Sequence, residues 1–237
     1  PLRSSAASDV YKRQPLPDSI ITIADILKLK GYKTGMFGKW GLGGPITNSI
    51  PNNKGFDFFY GYNCQRQAHT FYPTHLWKNM ERHLLDNQIV DKGRLPRDLD
   101  PNNEESYIRY NQNDYAPTLI HEEALKFIDR NKDEKFFLYY ASPIPHLPLQ
   151  APAKWVNYYR QKFGEEKPYT GGSGYYPNQY PKATYAAMIS YLDQQVGELV
   201  KKLKEIGKYE NTLIIFSSDN GPTHVDLSLI HISEPTR

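Results

Sequence analysis

Apolar residues recur along this chain with two different spacings, and the spacing predicts which segments are helices and which are strands. Three segments carry apolar residues three or four positions apart, which places them on one face of a helix. In the longest of these, residues 184–206, Met188, Leu192 and Val196 begin one such stripe. Short continuous apolar runs are instead typical of strands that are buried on both faces of a sheet, whereas residues 32–37 have the residue types of a half-buried strand. The predicted helices are residues 19–30, 118–131 and 184–206, and the predicted strands are residues 32–37, 55–62, 136–141 and 212–216.

The order of these elements predicts the fold class. Helices alternate with buried strands, which favours an α/β fold with a mostly parallel sheet covered by helices on both faces. Residues 63–113 interrupt the alternation with a polar, irregular segment that contains a predicted hairpin at 77–90. The chain has no internal repeat and no linker that would separate two domains, so the sequence predicts one domain.

A lysine surrounded by glycines ends the first predicted strand. Residues 31–44 read GYKTGMFGKWGLGG, so Lys39 follows the strand and has glycines on both sides. Glycines allow tight turns and let other groups approach the backbone closely. A lysine held at such a turn can meet an anion, whereas the alternative is an ordinary surface lysine at a strand end.

Two further polar segments follow predicted strands. Strand 136–141 leads into the proline-rich loop SPIPHLP, which carries His146. An imidazole has an ordinary pKa of ~6.5, which suits proton transfer or contact with an anion. Strand 212–216 leads into SSDNGP, where Asp219 and Asn220 offer hard oxygen ligands suited to calcium or magnesium. Such a segment alone is more often a turn, but ligands of open α/β sheets bind at the carboxyl ends of strands.

Together and in this order, the three segments resemble the formylglycine-dependent sulfatases, and residues 31–44 resemble the second signature of that family. The resemblance implies an alkaline-phosphatase-like α/β fold and hydrolysis of sulfate esters, with a sulfated small molecule or glycan as substrate. It implies that Lys39 and His146 are catalytic residues that contact the sulfate ester. It further implies that Asp219 and Asn220 bind Ca²⁺, and that the parent enzyme is periplasmic or secreted.

Other parts of the family's site have no match in this sequence. The family's nucleophile is a cysteine or serine in the pattern Cys/Ser-x-Pro/Ala-x-Arg, which is oxidised to formylglycine upstream of the lysine signature. Cys64 lies downstream in a different context, so we interpret it as a small structural or loop cysteine. The family's pair of N-terminal aspartates has no counterpart either. We therefore expect an incomplete catalytic domain whose nucleophile belongs to an upstream segment.

Both ends of the chain differ from the rest. Residues 1–14 and 226–237 have no hydrophobic pattern continuous with their neighbours, and they resemble translated sequencing-adapter strings. We expect these two segments to be non-native tails around a partial sulfatase catalytic domain at residues 15–225.

Composition limits the partners. The 237-residue chain has 39% hydrophobic residues, a net charge of +3 at pH 7 and one cysteine. This content supports one domain core, and the near-neutral charge argues against nucleic acid as a partner. No apolar run reaches the ~18 residues of a membrane span.

Two weaker signals concern the substrate. The segment QAHTFYP, residues 67–73, follows the aromatic strand and is predicted to place His69 at the rim of the substrate site. The loop at 169–181 is rich in glycine and tyrosine, and its rings can stack on sugars, although such loops are more often plain connections.

Two alternatives stay open at this point. One is a phosphodiesterase or phosphatase of the same superfamily, although the Asp/His clusters that hold two transition metals in such enzymes do not accompany Asp219. The other is a catalytically inactive, truncated remnant of a sulfatase.

Overall fold

The computed structural model describes residues 15–172 and 174–218. In these residues, five strands form one mixed sheet with the order β4-β3-β2-β1-β5. Strand β1 pairs in parallel with β2 on one side and with β5 on the other. Strands β3 and β4 extend the sheet beyond β2 as an antiparallel hairpin, in the region where the sequence predicts one. The strands are β1 (Lys33–Lys39), β2 (Phe58–Tyr62), β3 (His75–Lys78), β4 (Glu81–Leu84) and β5 (Phe136–Ala141).

The predicted helices at 118–131 and 184–206 are confirmed to within three residues at each end. Each has a proline in its first turn, Pro117 and Pro181, where the missing N–H costs no hydrogen bond. Within the described residues, no helix combines the length and the apolar composition needed to cross a membrane. The helices are α1 (Ile23–Leu29), α2 (Ala116–Arg130), α3 (Ala153–Phe163) and α4 (Pro181–Glu205), and short 3₁₀ helices span Pro51–Asn53, Gln65–His69, Glu104–Tyr110 and Tyr209–Asn211.

The central strand β1 is covered on both faces. Its side chains alternate, so that Met36 lies in one cluster with Ala24 of α1, and Phe37 lies in another with Ile120 and Phe127 of α2. All of these residues are buried. Helices therefore cover both faces of the parallel part of the sheet, which is the predicted α/β arrangement.

The predicted start and buried face of the first helix are wrong. Helix α1 begins after Thr22, whose side chain forms a reciprocal capping box with Asp25, and not at residue 19. The apolar residues Ile20, Ile23 and Ile26 are 46–63% exposed, and Ala24 is the buried residue of the helix. The buried side of the helix is the side with Ala24 because it lies against Gly55. An added Cβ at Gly55 would overlap with the backbone of Ala24 and Asp25.

The predicted buried strand at 212–216 is also wrong for the described structure. This segment pairs with none of the five strands, and Leu213, Ile215 and Phe216 are 78–85% exposed. An apolar run forms a strand only when it hydrogen-bonds to a neighbouring strand, and the described structure does not place residues 212–216 against one. Strand β5 lies at an edge of the sheet and is half-exposed rather than fully buried, and no described residue pairs with its outer side.

Candidate active site

Three predicted site residues lie at the same edge of the sheet. Lys39 is the last residue of β1, His69 ends the 3₁₀ helix that follows β2, and His146 lies in the loop that follows β5. Because β2, β1 and β5 are parallel neighbours, their carboxyl ends meet at this edge. The fold thus brings together side chains that are far apart in the sequence.

The backbone around Lys39 is held by the pairing of β1 with β2. Lys39 pairs with Tyr62, and the Trp40 N–H continues the ladder by donating to the carbonyl of Tyr62 at 2.9 Å. The buried Trp40 ring also donates from Nε1 to the carbonyl of Ser49 at 2.7 Å. The half-buried side chain of Lys39 therefore extends from a backbone that is fixed by hydrogen bonds.

Two glycines allow the three strands to approach closely at this edge. Gly38 has a φ of 118°, and an added Cβ there would overlap with the carbonyl oxygen of Ala141 in β5. Gly61 has a φ of 156°, and an added Cβ would overlap with the carbonyl oxygen of Gly38. Glycine is needed at both positions because any side chain would push the strands apart.

The loop that carries His146 is anchored by its apolar residues. Ile144, Pro148 and Leu149 are buried, whereas His146 between them is exposed. His146 Nδ1 lies 2.6 Å from the carbonyl oxygen of Leu147. A carbonyl oxygen can only accept, so Nδ1 carries the proton, and Nε2 is the basic nitrogen of the neutral ring.

His69 lies at the centre of this group. Its ring stacks on the ring of His146 with centroids 5.9 Å apart, and Tyr175 lies against it at 5.5 Å. Burial lowers the pKa of His69 to about 4, and the positive charges of Lys92, His146, Lys39 and Arg66 contribute to the shift. His69 is therefore neutral at pH 7, and the charges around it favour an anion at this site.

The predicted metal ligands Asp219 and Asn220 lie outside the described residues. Across residues 15–172 and 174–218, no group of three or more His, Cys, Asp or Glu side chains is arranged to hold a metal ion. The described part of the chain therefore offers no test of the predicted calcium site. Cys64 is an exposed, free thiol at the start of the 3₁₀ helix Gln65–His69, which agrees with its interpretation as a loop cysteine.

Sequence reasoning missed two cations near this site. Arg66 precedes His69 by one turn of the 3₁₀ helix, and Lys92 lies in the irregular segment after β4. Nothing in the pattern around Lys92 pointed to the site, whereas the spacing of Arg66 and His69 in the segment QRQAH was a usable signal.

The glycine- and tyrosine-rich loop is closed by two backbone hydrogen bonds between Tyr169 and Asn178, and it brings Tyr175 to His69.

Comparison with known proteins agrees with this geometry. The model of the Sulfatase family matches residues 2–231. This chain belongs to the sulfatase family. It is 30% identical to arylsulfatase J of Mus musculus over 207 residues, which cover 87% of the chain and 30% of that protein. It is also 30% identical to arylsulfatase A of Homo sapiens over 218 residues, which cover 91% of the chain and 38% of that protein.

Two solved structures share the fold. Ps i-CgsB, solved in complex with k-i-k-neocarrahexaose, aligns with a TM-score of 0.59 and 24% identity over 83% of the chain and 39% of that structure. BT4656, solved with its substrate D-glucosamine-2-N,6-O-disulfate, aligns with a TM-score of 0.52 and 17% identity over 84% of the chain and 49% of that structure. The sulfatase-family chain thus has the predicted α/β fold, and it spans about a third of the length of the two curated relatives.

Proposed function

We propose that the complete protein hydrolyses sulfate esters of carbohydrates. The observation that carries the proposal is the meeting of Lys39, His69 and His146 at the carboxyl ends of three parallel strands in a sulfatase-family chain. The half-buried Lys39 beside the neutral His69 suits a sulfate group, which carries one negative charge as an ester.

Each described residue has a role in this proposal. Lys39 binds a sulfate oxygen and stabilises the negative charge that develops there during cleavage. His146 contacts the leaving oxygen through Nε2 and, in its protonated form, gives that oxygen a proton as the alcohol departs. His69 stays neutral and supports the ring of His146, and Tyr175 offers an aromatic face to the sugar.

Family membership suggests a metal-dependent enzyme. Calcium held by Asp219 and Asn220, and a formylglycine nucleophile from an upstream segment, belong to the proposal through the sequence resemblance alone. When bound, calcium would neutralise sulfate oxygens, and the formylglycine would supply the nucleophile.

Carbohydrate substrates are supported by the structural relatives and by the site. One of those relatives was solved with k-i-k-neocarrahexaose and the other with D-glucosamine-2-N,6-O-disulfate, and Tyr175 lies at the rim of the candidate site in this chain. The substrate would be recognised by its sulfate ester and by stacking of the sugar ring.

The test is a pair of matched assays on the complete protein. Sulfate release from 4-nitrophenyl sulfate and from sulfated monosaccharides should be detectable, whereas 4-nitrophenyl phosphate and bis(4-nitrophenyl) phosphate should react far more slowly. A preference for either phosphate ester would replace the proposal by the phosphatase or phosphodiesterase alternative. Loss of both activities in a protein with its nucleophile intact would favour the inactive remnant.

A further inference from the structure

A second group of positive charges lies beside the candidate active site. Arg66 and Lys92 belong to different segments of the chain, yet both line one cleft of about 210 Å³. Both side chains are exposed. Partial desolvation lowers the pKa of Lys92, and the charge of Arg66 lowers it further, so the two cations are close enough to repel each other.

These two cations have no acidic partner in the described structure. Throughout residues 15–172 and 174–218, no carboxylate lies within ion-pair distance of Arg66 or Lys92. By contrast, the exposed cations Lys126 and Lys201 are paired, Lys126 with Glu123 and Lys201 with Glu205. Two like charges held at one cleft attract an anion, because its charge relieves their repulsion.

The cleft adjoins the candidate active site along two segments. Arg66 and His69 are three residues apart in a 3₁₀ helix, a spacing that puts both side chains on the same side. In the tyrosine-rich loop, Tyr175 packs on His69, and the next residue, Tyr176, lines the cleft. A substrate that spans both places would therefore contact Tyr175 and Tyr176 in succession.

The cleft has the chemistry of a site for a charged sugar. The planar guanidinium of Arg66 can donate two parallel hydrogen bonds to a carboxylate or a sulfate. Lys92 Nζ lies 5.9 Å from the centre of the Tyr176 ring, and Tyr72 and Thr70 complete this part of the wall. The volume is below the ~300–1,000 Å³ of pockets for drug-sized ligands, which suits one sugar unit or its charged substituent.

We propose that Arg66 and Lys92 form a second anion subsite, which binds a carboxylate or a further sulfate on the sugar next to the sulfate ester that is cleaved. This inference rests on the proposed function for its substrate class. It makes the preferred substrates glycans with at least two anionic groups on neighbouring sugars.

Binding measurements on the complete protein test the subsite without requiring turnover. The ligands are two pairs of sulfated disaccharides. One pair differs only by a second sulfate, and the other differs only by a uronate carboxylate in place of a primary alcohol. Isothermal titration at low salt gives an affinity ratio within each pair.

Arg66→Gln and Lys92→Gln should each lower the ratio about tenfold for the anion that the subsite accepts, since hydrogen bonds to charged groups are individually strong. Arg66→Lys should retain part of the ratio.

Matched controls separate this effect from a general loss of charge. The double variant Lys126→Gln/Lys201→Gln removes two exposed cations from helices α2 and α4 and should leave the ratio as it is. The pair of disaccharides that shows the larger ratio identifies carboxylate or sulfate as the bound group. Ratios near one for both pairs in the unmodified protein would overturn the subsite, and so would equal losses in the control. If binding prefers two anions but no sulfate is released from any substrate, the subsite stands and the proposed function fails.

Discussion

The rings of His69 and His146 stack on each other at 5.9 Å, although they follow strands on opposite sides of β1. His69 follows β2 and His146 follows β5, and β1 lies between these two strands. The contact between the two rings therefore lies at the end of the strand that carries Lys39. The site is therefore built across three strands, and it depends on how closely these strands approach. This dependence leads to predictions about the lysine, the histidine and the glycines beneath them.

Replacing Lys39 by alanine should lower the turnover of sulfate esters by about 10²–10³-fold or more, because it removes a charge aimed at the developing negative charge. The fold should persist, since Lys39 is half-buried at the end of β1 and not part of the core. Steady-state kinetics with 4-nitrophenyl sulfate, together with a thermal melt, measure both effects. The matched control is Lys33→Ala, at the exposed opposite end of the same strand. Similar losses in the two variants would return Lys39 to the role of a surface lysine.

His69 should titrate far below an ordinary histidine, with a pKa of about 4 in the absence of anions. Addition of sulfate should raise this pKa, because a bound negative charge stabilises the protonated ring. NMR of ¹³C-labelled histidine, with His69→Gln for assignment, reads the titration directly. A pKa near 6.5 without added sulfate would show that the ring is not held among positive charges.

The same pKa shift makes the stability of the fold depend on pH. The pKa of His69 is lower in the folded state than in the unfolded state, so protonation favours unfolding. This contribution is absent above about pH 6.5 and grows as the pH falls towards the folded value of about 4. In denaturant titrations, His69→Gln should therefore lose less stability between pH 6.5 and pH 4 than the unmodified protein. Parallel losses in the two proteins would contradict the shift.

Gly38→Ala should destabilise the sheet by more than about 2 kcal/mol, since it combines an unfavourable φ with a backbone overlap. The added Cβ would meet the carbonyl oxygen of Ala141 and would force β1 away from β5. Gly44→Ala is the matched control, because an added Cβ there has no atom within 4 Å. Equal melting temperatures for the two variants would mean that the strands can separate at no cost.

Asp219→Ala in the complete protein should abolish both calcium retention and sulfatase activity, because it removes a charged oxygen ligand. Elemental analysis after dialysis measures the bound metal independently of turnover. Asp57→Ala is a suitable control, since Asp57 is an aspartate already engaged with Thr34 and Lys28 away from the site. Unchanged calcium content in the Asp219 variant would refute the ligand assignment.

The sequence predicted well where a local pattern has one physical meaning. The run that ends in Lys39 needs glycines for close strand approach, as predicted, although the strand is buried on both faces and not half-buried. It failed where an apolar pattern depends on a partner elsewhere in the fold. Ile23 and Ile26 have helical spacing but face outward, whereas the side of the helix with Ala24 is buried and lies close to Gly55. Lys92 has no local pattern at all, since tertiary structure alone brings it to the cleft beside Arg66.

Residues 15–225, expressed as an isolated polypeptide, should aggregate and should release no sulfate from aryl sulfates, even with calcium added. The apolar side chains of Leu213, Ile215 and Phe216 are 78–85% exposed, and the outer side of β5 pairs with no described strand. An unpaired strand edge beside exposed apolar residues is a template for association between copies.

Light scattering and size-exclusion chromatography measure the association, and the variant Leu213→Lys/Ile215→Lys should reduce it, because charges oppose stacking of such segments. A monomer that melts cooperatively without these substitutions would show that the exposed segment finds cover within the same chain. Sulfate release by that monomer would place the nucleophile inside residues 15–225.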